Sequence, residues 1–173
     1  MPENRGTLSA TWFETEYDDL IAFDFSASPG TVVNIERAKT SGLELSAQST
    51  LAESVDVRFA YTYLEADNLT QNVRLLRRPR HSFNADVWHD FGAGFSLGAG
   101  VVHVADRRDV DAATFTTIDA EDYTVVRLYG AWEISERLTV KARVENLLNE
   151  QYEEVNGFPA LGVGAYAGVA WKF

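Results

Sequence analysis

Apolar and polar residues alternate along this chain in segments of roughly ten residues, separated by turn-forming clusters. Leu138, Val140, Ala142 and Val144 share one parity, opposite Thr139, Lys141, Arg143 and Glu145. The same rule separates Val126, Leu128 and Trp132 from Val125, Arg127 and Tyr129, and Leu43, Leu45 and Ala47 from Glu44, Ser46 and Gln48. Successive side chains of a strand point to opposite faces, so a period of two predicts sheet with one apolar and one polar side. Strands are predicted near Leu8–Phe23, Val33–Gln48, Val55–Ala66, His81–Trp88, Phe95–Ala105, Tyr123–Glu133, Leu138–Asn146 and Gly164–Phe173, eight in all.

A soluble sandwich shows the same alternation, so the links between strands decide. They are tight at Ser49–Ser54, His89–Gly94 and Ile134–Arg137, and long and polar at Asp67–Arg80, Asp106–Asp122 and Leu147–Val163. Short turns alternating with long loops are the plan of an up-and-down barrel in an outer membrane, with both chain ends on the periplasmic side. The expected fold class is therefore all-β, an antiparallel up-and-down transmembrane β-barrel segment of eight strands. Trp12, Trp88, Trp132 and Trp171 fall near the ends assigned to the short-turn side, as an interfacial aromatic girdle requires. Trp88 shares parity with Asn84 and Asp86 rather than with the apolar Phe83, Ala85 and Val87, so it either follows a bulge or points inward.

Composition narrows the choice further. No stretch approaches the about 20 consecutive apolar residues of a membrane helix. A net charge of −11 over 173 residues argues against nucleic acid as a partner, since phosphate binding wants a concentrated basic face. There is no cysteine, which suits a chain that crosses an oxidising compartment without disulfides. Met1 to Gly6 has neither the basic nor the apolar region of a secretory signal, so an exported protein would carry further sequence upstream. His81, His89 and His103 stand on different predicted strands without metal-ligand spacing, and no nucleophile elbow or phosphate-cradling loop occurs. The expectation is neither an enzyme nor a metal or cofactor protein.

The last residues, Tyr166 to Phe173, set Val169, Trp171 and Phe173 against Gly168, Ala170 and Lys172. This strand resembles the C-terminal assembly signal of bacterial outer-membrane proteins. The resemblance implies that Tyr166, Gly168, Trp171 and Phe173 engage the barrel assembly machinery and outer-membrane lipid.

Four segments carry a wider likeness: Asn34–Leu45, Leu75–Phe83, Val144–Tyr152 and the aromatic terminus. Together they resemble the closing part of a TonB-dependent outer-membrane receptor, covering residues 1–173. Leu75-Leu-Arg-Arg78 and Asn156-Gly-Phe-Pro-Ala160 look most like the vitamin B12 (cobalamin) type. The resemblance implies a wall segment of a barrel of about 22 strands, with the plug domain and earlier strands lying outside this chain. It also implies an outer-membrane location, coupling to the TonB energy complex, and active uptake of cobalamin or, next, a ferric siderophore. The alternative is a complete small barrel with a structural or adhesion role.

On that resemblance the candidate ligand contacts are Arg77, Arg78, Arg107, Arg108, Phe115, Asn156 and Phe158. Arg74, Arg77, Arg78 and Arg80 form the densest cationic run, readable as a clamp for an anionic ligand. Pairing with carboxylates of the plug or barrel wall is the favoured reading. The carboxylates from Asp106 to Asp122 read as a calcium loop or, in preference, as a solvated loop, because the regular ligand spacing is missing. Glu36, Arg37, Lys39 and Glu44 are expected to pair with each other at the lumen or rim, Gly42 to make room for a neighbour, and Asn146 and Asn149 to form a self-bonded turn.

Overall fold

The computed structural model describes residues 6–24 and 27–173. Every regular element is a strand. In chain order they are β1 (Gly6–Asp24), β2 (Thr31–Ala52), β3 (Val55–Asn68), β4 (Val73–Arg74), β5 (His81–Gly92), β6 (Phe95–Ala105) and β7 (Arg107–Val110). They continue with β8 (Thr117–Ala120), β9 (Tyr123–Glu133), β10 (Leu138–Glu145), β11 (Glu153–Val155), β12 (Phe158–Pro159) and β13 (Gly164–Trp171). One sheet runs β1-β2-β3-β5-β6-β9-β10-β13, with β4 attached to β3, while β7–β8 and β11–β12 form separate two-stranded sheets. All neighbours are antiparallel.

The long path matches the predicted order, but the count of eight is corrected. Nine strands make the large sheet and four more lie in the long links. These extra strands span two to four residues each, too short to leave a period-two signature. Pairing also outruns the pattern, since β2 continues to Ala52 and β5 to Gly92. Gly92, Ala93 and Gly94 all take positive φ (78°, 50° and 75°), which is the tight reversal expected there. Among the described residues no ladder joins β1 to β13.

Register fixes which residues share a face. Trp132 opposes Val140 and Phe95, Leu97 opposes His89, and Trp171 opposes Leu138. On this face Leu8, Trp12, Val87, Leu97, Trp132, Val169 and Trp171 are all exposed. The buried apolar side chains among the described residues are only Ala38, Ala66, Val110 and Tyr123. A sandwich would cover such a face with a second sheet. Among the described residues nothing covers it, and an apolar face of this kind suits contact with lipid.

Trp88 leaves the proposed girdle. It opposes Asp56 and Gly98 on the polar face and stacks on Tyr129, with ring centroids 5.5 Å apart at 17°. The register shift between β5 and β6 comes later, at Asp90/Gly92, so no bulge rescues its parity. Gly98 and Gly100 on β6 make this arrangement possible. A Cβ at Gly98 would stand 2.6 Å from Tyr129 Cε2 and 2.7 Å from Trp88 Cε3. With no side chains on β6 at these two positions, groups on β5 and β9 meet across it.

The predicted charges of β2 find other partners than those expected. Lys39 pairs with Glu14 at 2.9 Å and Arg37 with Glu16 at 3.4 Å, both across the β1–β2 ladder rather than within β2. The side chain of Glu36 lies outside the described residues. Gly42 does make room: a Cβ there would lie 2.7 Å from Phe13 Cζ, its cross-strand neighbour.

Candidate functional site

The three long links gather at one rim of the sheet, and side chains fasten them to one another. Asp106, which follows β6, accepts Arg74 Nη1 on Oδ1 at 2.6 Å and Arg80 Nη1 on Oδ2 at 2.7 Å. Its carbonyl accepts Arg74 Nη2 at 2.7 Å, and its own N–H donates to Asp122 Oδ1 at 2.9 Å. The hydrogen bond from Arg74, helped by the charge of Arg80, holds the Asp106 carboxyl below the ordinary carboxylate range against the opposing effect of burial.

Asp109 on β7 is the centre of the network. It is 0% exposed. Oδ1 accepts Arg77 Nε at 2.7 Å and the Val110 N–H at 2.8 Å, while Oδ2 accepts the Asn156 N–H at 2.8 Å. One carboxylate therefore joins residues from all three links. Burial pushes this carboxyl up, but the donors from Asn156, Arg77 and Val110 outweigh it and leave the group below its usual value.

The remaining contacts extend the same frame. Arg107, 6% exposed, donates Nη2 to the Glu153 carbonyl at 2.5 Å and lies 5.8 Å above the Tyr123 ring. Tyr123 stacks on Tyr152 at 4.2 Å. Asn156 Oδ1 accepts the Ala112 N–H at 2.9 Å, and Glu153 Oε2 accepts the Gly157 N–H at 2.8 Å. Asn146 and Asn149 take positive φ; Asn146 Oδ1 accepts the Glu150 N–H at 2.8 Å, the self-bonded turn predicted there, whereas Asn149 Oδ1 accepts the more distant Val163 N–H at 3.1 Å.

The candidate contacts thus divide. Arg77, Arg107 and Asn156 are occupied inside the frame. Arg78 is exposed, its Nη1 donating to the Arg77 carbonyl at 3.1 Å, and Arg108 reaches only the exposed Asp119, at 3.6 Å. Phe115 and Phe158 are 60% and 72% exposed at the tips of the β7–β8 and β11–β12 hairpins. The arginine run does pair with carboxylates, as favoured, but those of the next link, Asp106 and Asp109. Asp111 caps its own turn through the Ala113 and Thr114 N–H groups and the Thr114 hydroxyl. No group of carboxylates converges on a common point among the described residues.

At the other end of the chain, Trp171 is exposed on the apolar face. Tyr166 has the opposite parity and sits under Arg143, 4.4 Å from its guanidinium. Gly168 opposes Lys141, and Phe173 follows the last strand, fully exposed.

The polar face of the sheet holds a second constellation that the sequence did not single out. Asp86 on β5 accepts Arg127 Nη2 on both oxygens at 2.8 Å and the Tyr129 hydroxyl at 3.0 Å, reaching across β6. With Asp56, Arg58, Trp88, Arg143 and Glu145 it lines a concavity of about 700 Å³. Charge facing this side fits a polar interior wall.

Residues 2–147 match the family model described as TonB dependent receptor-like, beta-barrel. A vitamin B12 transporter of Vibrio cholerae is 26% identical over 94% of this chain and 27% of its own length. An iron-regulated outer membrane virulence protein of the same species is 27% identical over 73% of this chain and 20% of its own length. Among solved structures, the copper transporter OprC superposes with a TM-score of 0.83 at 19% identity, over 99% of this chain and 28% of that one. The chain thus spans about a quarter of the length of the proteins it resembles.

Proposed function

The chain belongs to the β-barrel family of TonB-dependent receptors, and from that premise we propose that it forms the C-terminal wall and loops of a nutrient receptor. Such receptors reside in the bacterial outer membrane and are transporters, not enzymes. In the proposed whole, a barrel of about 22 strands encloses a plug, and the TonB complex draws energy from the inner membrane to open a path. The links 67–80, 106–122 and 147–163 face outward and capture ligand through Arg78, Arg108, Phe115 and Phe158. Tyr166, Gly168, Trp171 and Phe173 guide assembly. The observation that carries the reading is the pairing of an uncovered apolar sheet face with long links braced into one frame around Asp109.

Cobalamin is the favoured ligand, ahead of a ferric siderophore. Likeness to vitamin B12 transporters supports it, and so does the fate of the arginines: Arg74, Arg77 and Arg80 are consumed by Asp106 and Asp109, so the cationic run keeps only Arg78 for an anionic chelate. The test is uptake. In cells lacking their own cobalamin receptor, the receptor carrying this chain should restore TonB-dependent accumulation of labelled cyanocobalamin, and F158S should lower it several-fold. Accumulation independent of TonB would sink the transport reading. Ferric-siderophore uptake alone would sink only the choice of ligand.

A further inference from the structure

The braced rim leaves a groove open between the ends of β9, β10 and β13 and the β11–β12 hairpin. It encloses about 740 Å³, and Tyr152, Glu154, Phe158, Leu161 and Tyr166 are among its lining residues. That volume lies within the roughly 300–1,000 Å³ typical of small-molecule sites. Phe158 and Leu161 are 72% and 82% exposed, so their apolar surface is available to a ligand. Such surface at a polar rim marks a contact site rather than packing.

Charge selects the occupant. Glu154 enters no ion pair among the described residues. Glu154 lines the groove beside Tyr152, so a carboxylate borders the aromatic wall; burial and this carboxylate raise the Tyr152 phenol above its ordinary value. The cations around the groove are already engaged. Arg107 is held by the Glu153 carbonyl and the Tyr123 ring, and Arg143 bonds Glu145 at 3.1 Å while covering Tyr166. An anion entering here would meet a carboxylate and the faces of aromatic rings, with no free guanidinium to receive it. A cation would meet both favourably.

We propose that this groove binds a flat, apolar organic cation, or the positively charged flat face of a larger ligand, and discriminates against anions. A corrin ring holding cobalt belongs to that class, so the proposal deepens the loop-capture reading and rests on it.

The experiment uses the intact receptor in non-ionic detergent, titrated calorimetrically with the flat cation N-methylacridinium and with the flat anion anthracene-2-carboxylate, of similar size. Saturable binding of the cation is expected, about tenfold tighter than the anion. E154Q should cost the cation about fivefold and leave the anion no weaker, and F158S should weaken the cation further. Because both side chains are exposed, neither variant threatens the fold. Equal affinities for the two ions, a cation affinity unmoved by E154Q, or no saturable binding would each overturn the proposal. Cobalamin uptake without charge discrimination would remove the groove assignment alone. Cation binding without cobalamin uptake would remove only the nutrient assignment.

Discussion

D109A is expected to release three loops at once while leaving the long strands paired. The substitution removes the acceptor shared by Arg77 Nε, the Val110 N–H and the Asn156 N–H, and Asp109 is fully buried. Leaving buried donors without a partner costs about 1–3 kcal/mol. Since this one carboxylate bonds residues of all three links, that cost falls on the rim rather than on the ladders of the sheet. Limited proteolysis should cut within 67–80, 106–122 and 147–163 at least tenfold faster, and hydrogen exchange in β5, β6 and β9 should stay slow. Cleavage confined to 106–122 would mean that the loops are not coupled.

Acid should imitate this variant. Asp106, Asp109 and Asp111 all sit below the ordinary carboxylate range. A depressed carboxylate stabilises the fold fully above its unfolded value of about 3.9, and that contribution is lost as the pH falls through the lower folded value. Protection of the wild-type loops should therefore be flat from neutral pH to about pH 4 and decline only below it. In D109A the loops should already be open at neutral pH.

G100V should damage the sheet itself. A Cβ at Gly100 would stand 2.5 Å from Asp86 Oδ1 and 2.6 Å from Arg127 Nε, the two groups that bond across β6. A branched side chain must displace that pair, adding overpacking of about 1–3 kcal/mol to the loss of a charged contact. The expected result is a large fall in the amount of receptor inserted in the outer membrane and in the temperature at which the barrel unfolds. L97V provides the comparison, because Leu97 lies on the same strand with its side chain exposed on the apolar face. Equal behaviour of the two variants would refute the bridging role of Gly100.

The long strands were legible because lipid on one side and a polar interior on the other impose alternation, complete from Leu138 to Glu145 and partial from Tyr123 to Glu133. Trp88 was half legible: its parity with Asp86 left a bulge or an inward side chain, and only the register decides for the polar face. The rim was not legible. Its contacts between links join residues 26 to 47 positions apart, such as Arg80 with Asp106 and Asn156 with Asp109, and no local pattern announces them. The sequence marked the arginine run and the acidic stretch as separate features, with plug or wall carboxylates as the arginines' partners. Register brings the two together, because β3, β5 and β6 are neighbours whose upper ends set the links side by side. Asn156 shows the same limit. It stood out as a candidate ligand contact, yet both its amide oxygen and its backbone N–H are used to hold Ala112 and Asp109. Nothing in the sequence pattern singles out Gly98 and Gly100, and only the side chains flanking them on β5 and β9 reveal the space they provide.

The central claim is orientation, with the long links outside the cell and the short turns in the periplasm. With no native cysteine, single replacements report it cleanly. In intact cells making the receptor, an impermeant maleimide should label F115C and F158C at the hairpin tips. E136C, in the turn between β9 and β10, should react only after the outer membrane is permeabilised. Labelling of E136C in intact cells, with F115C and F158C protected, would contradict the account.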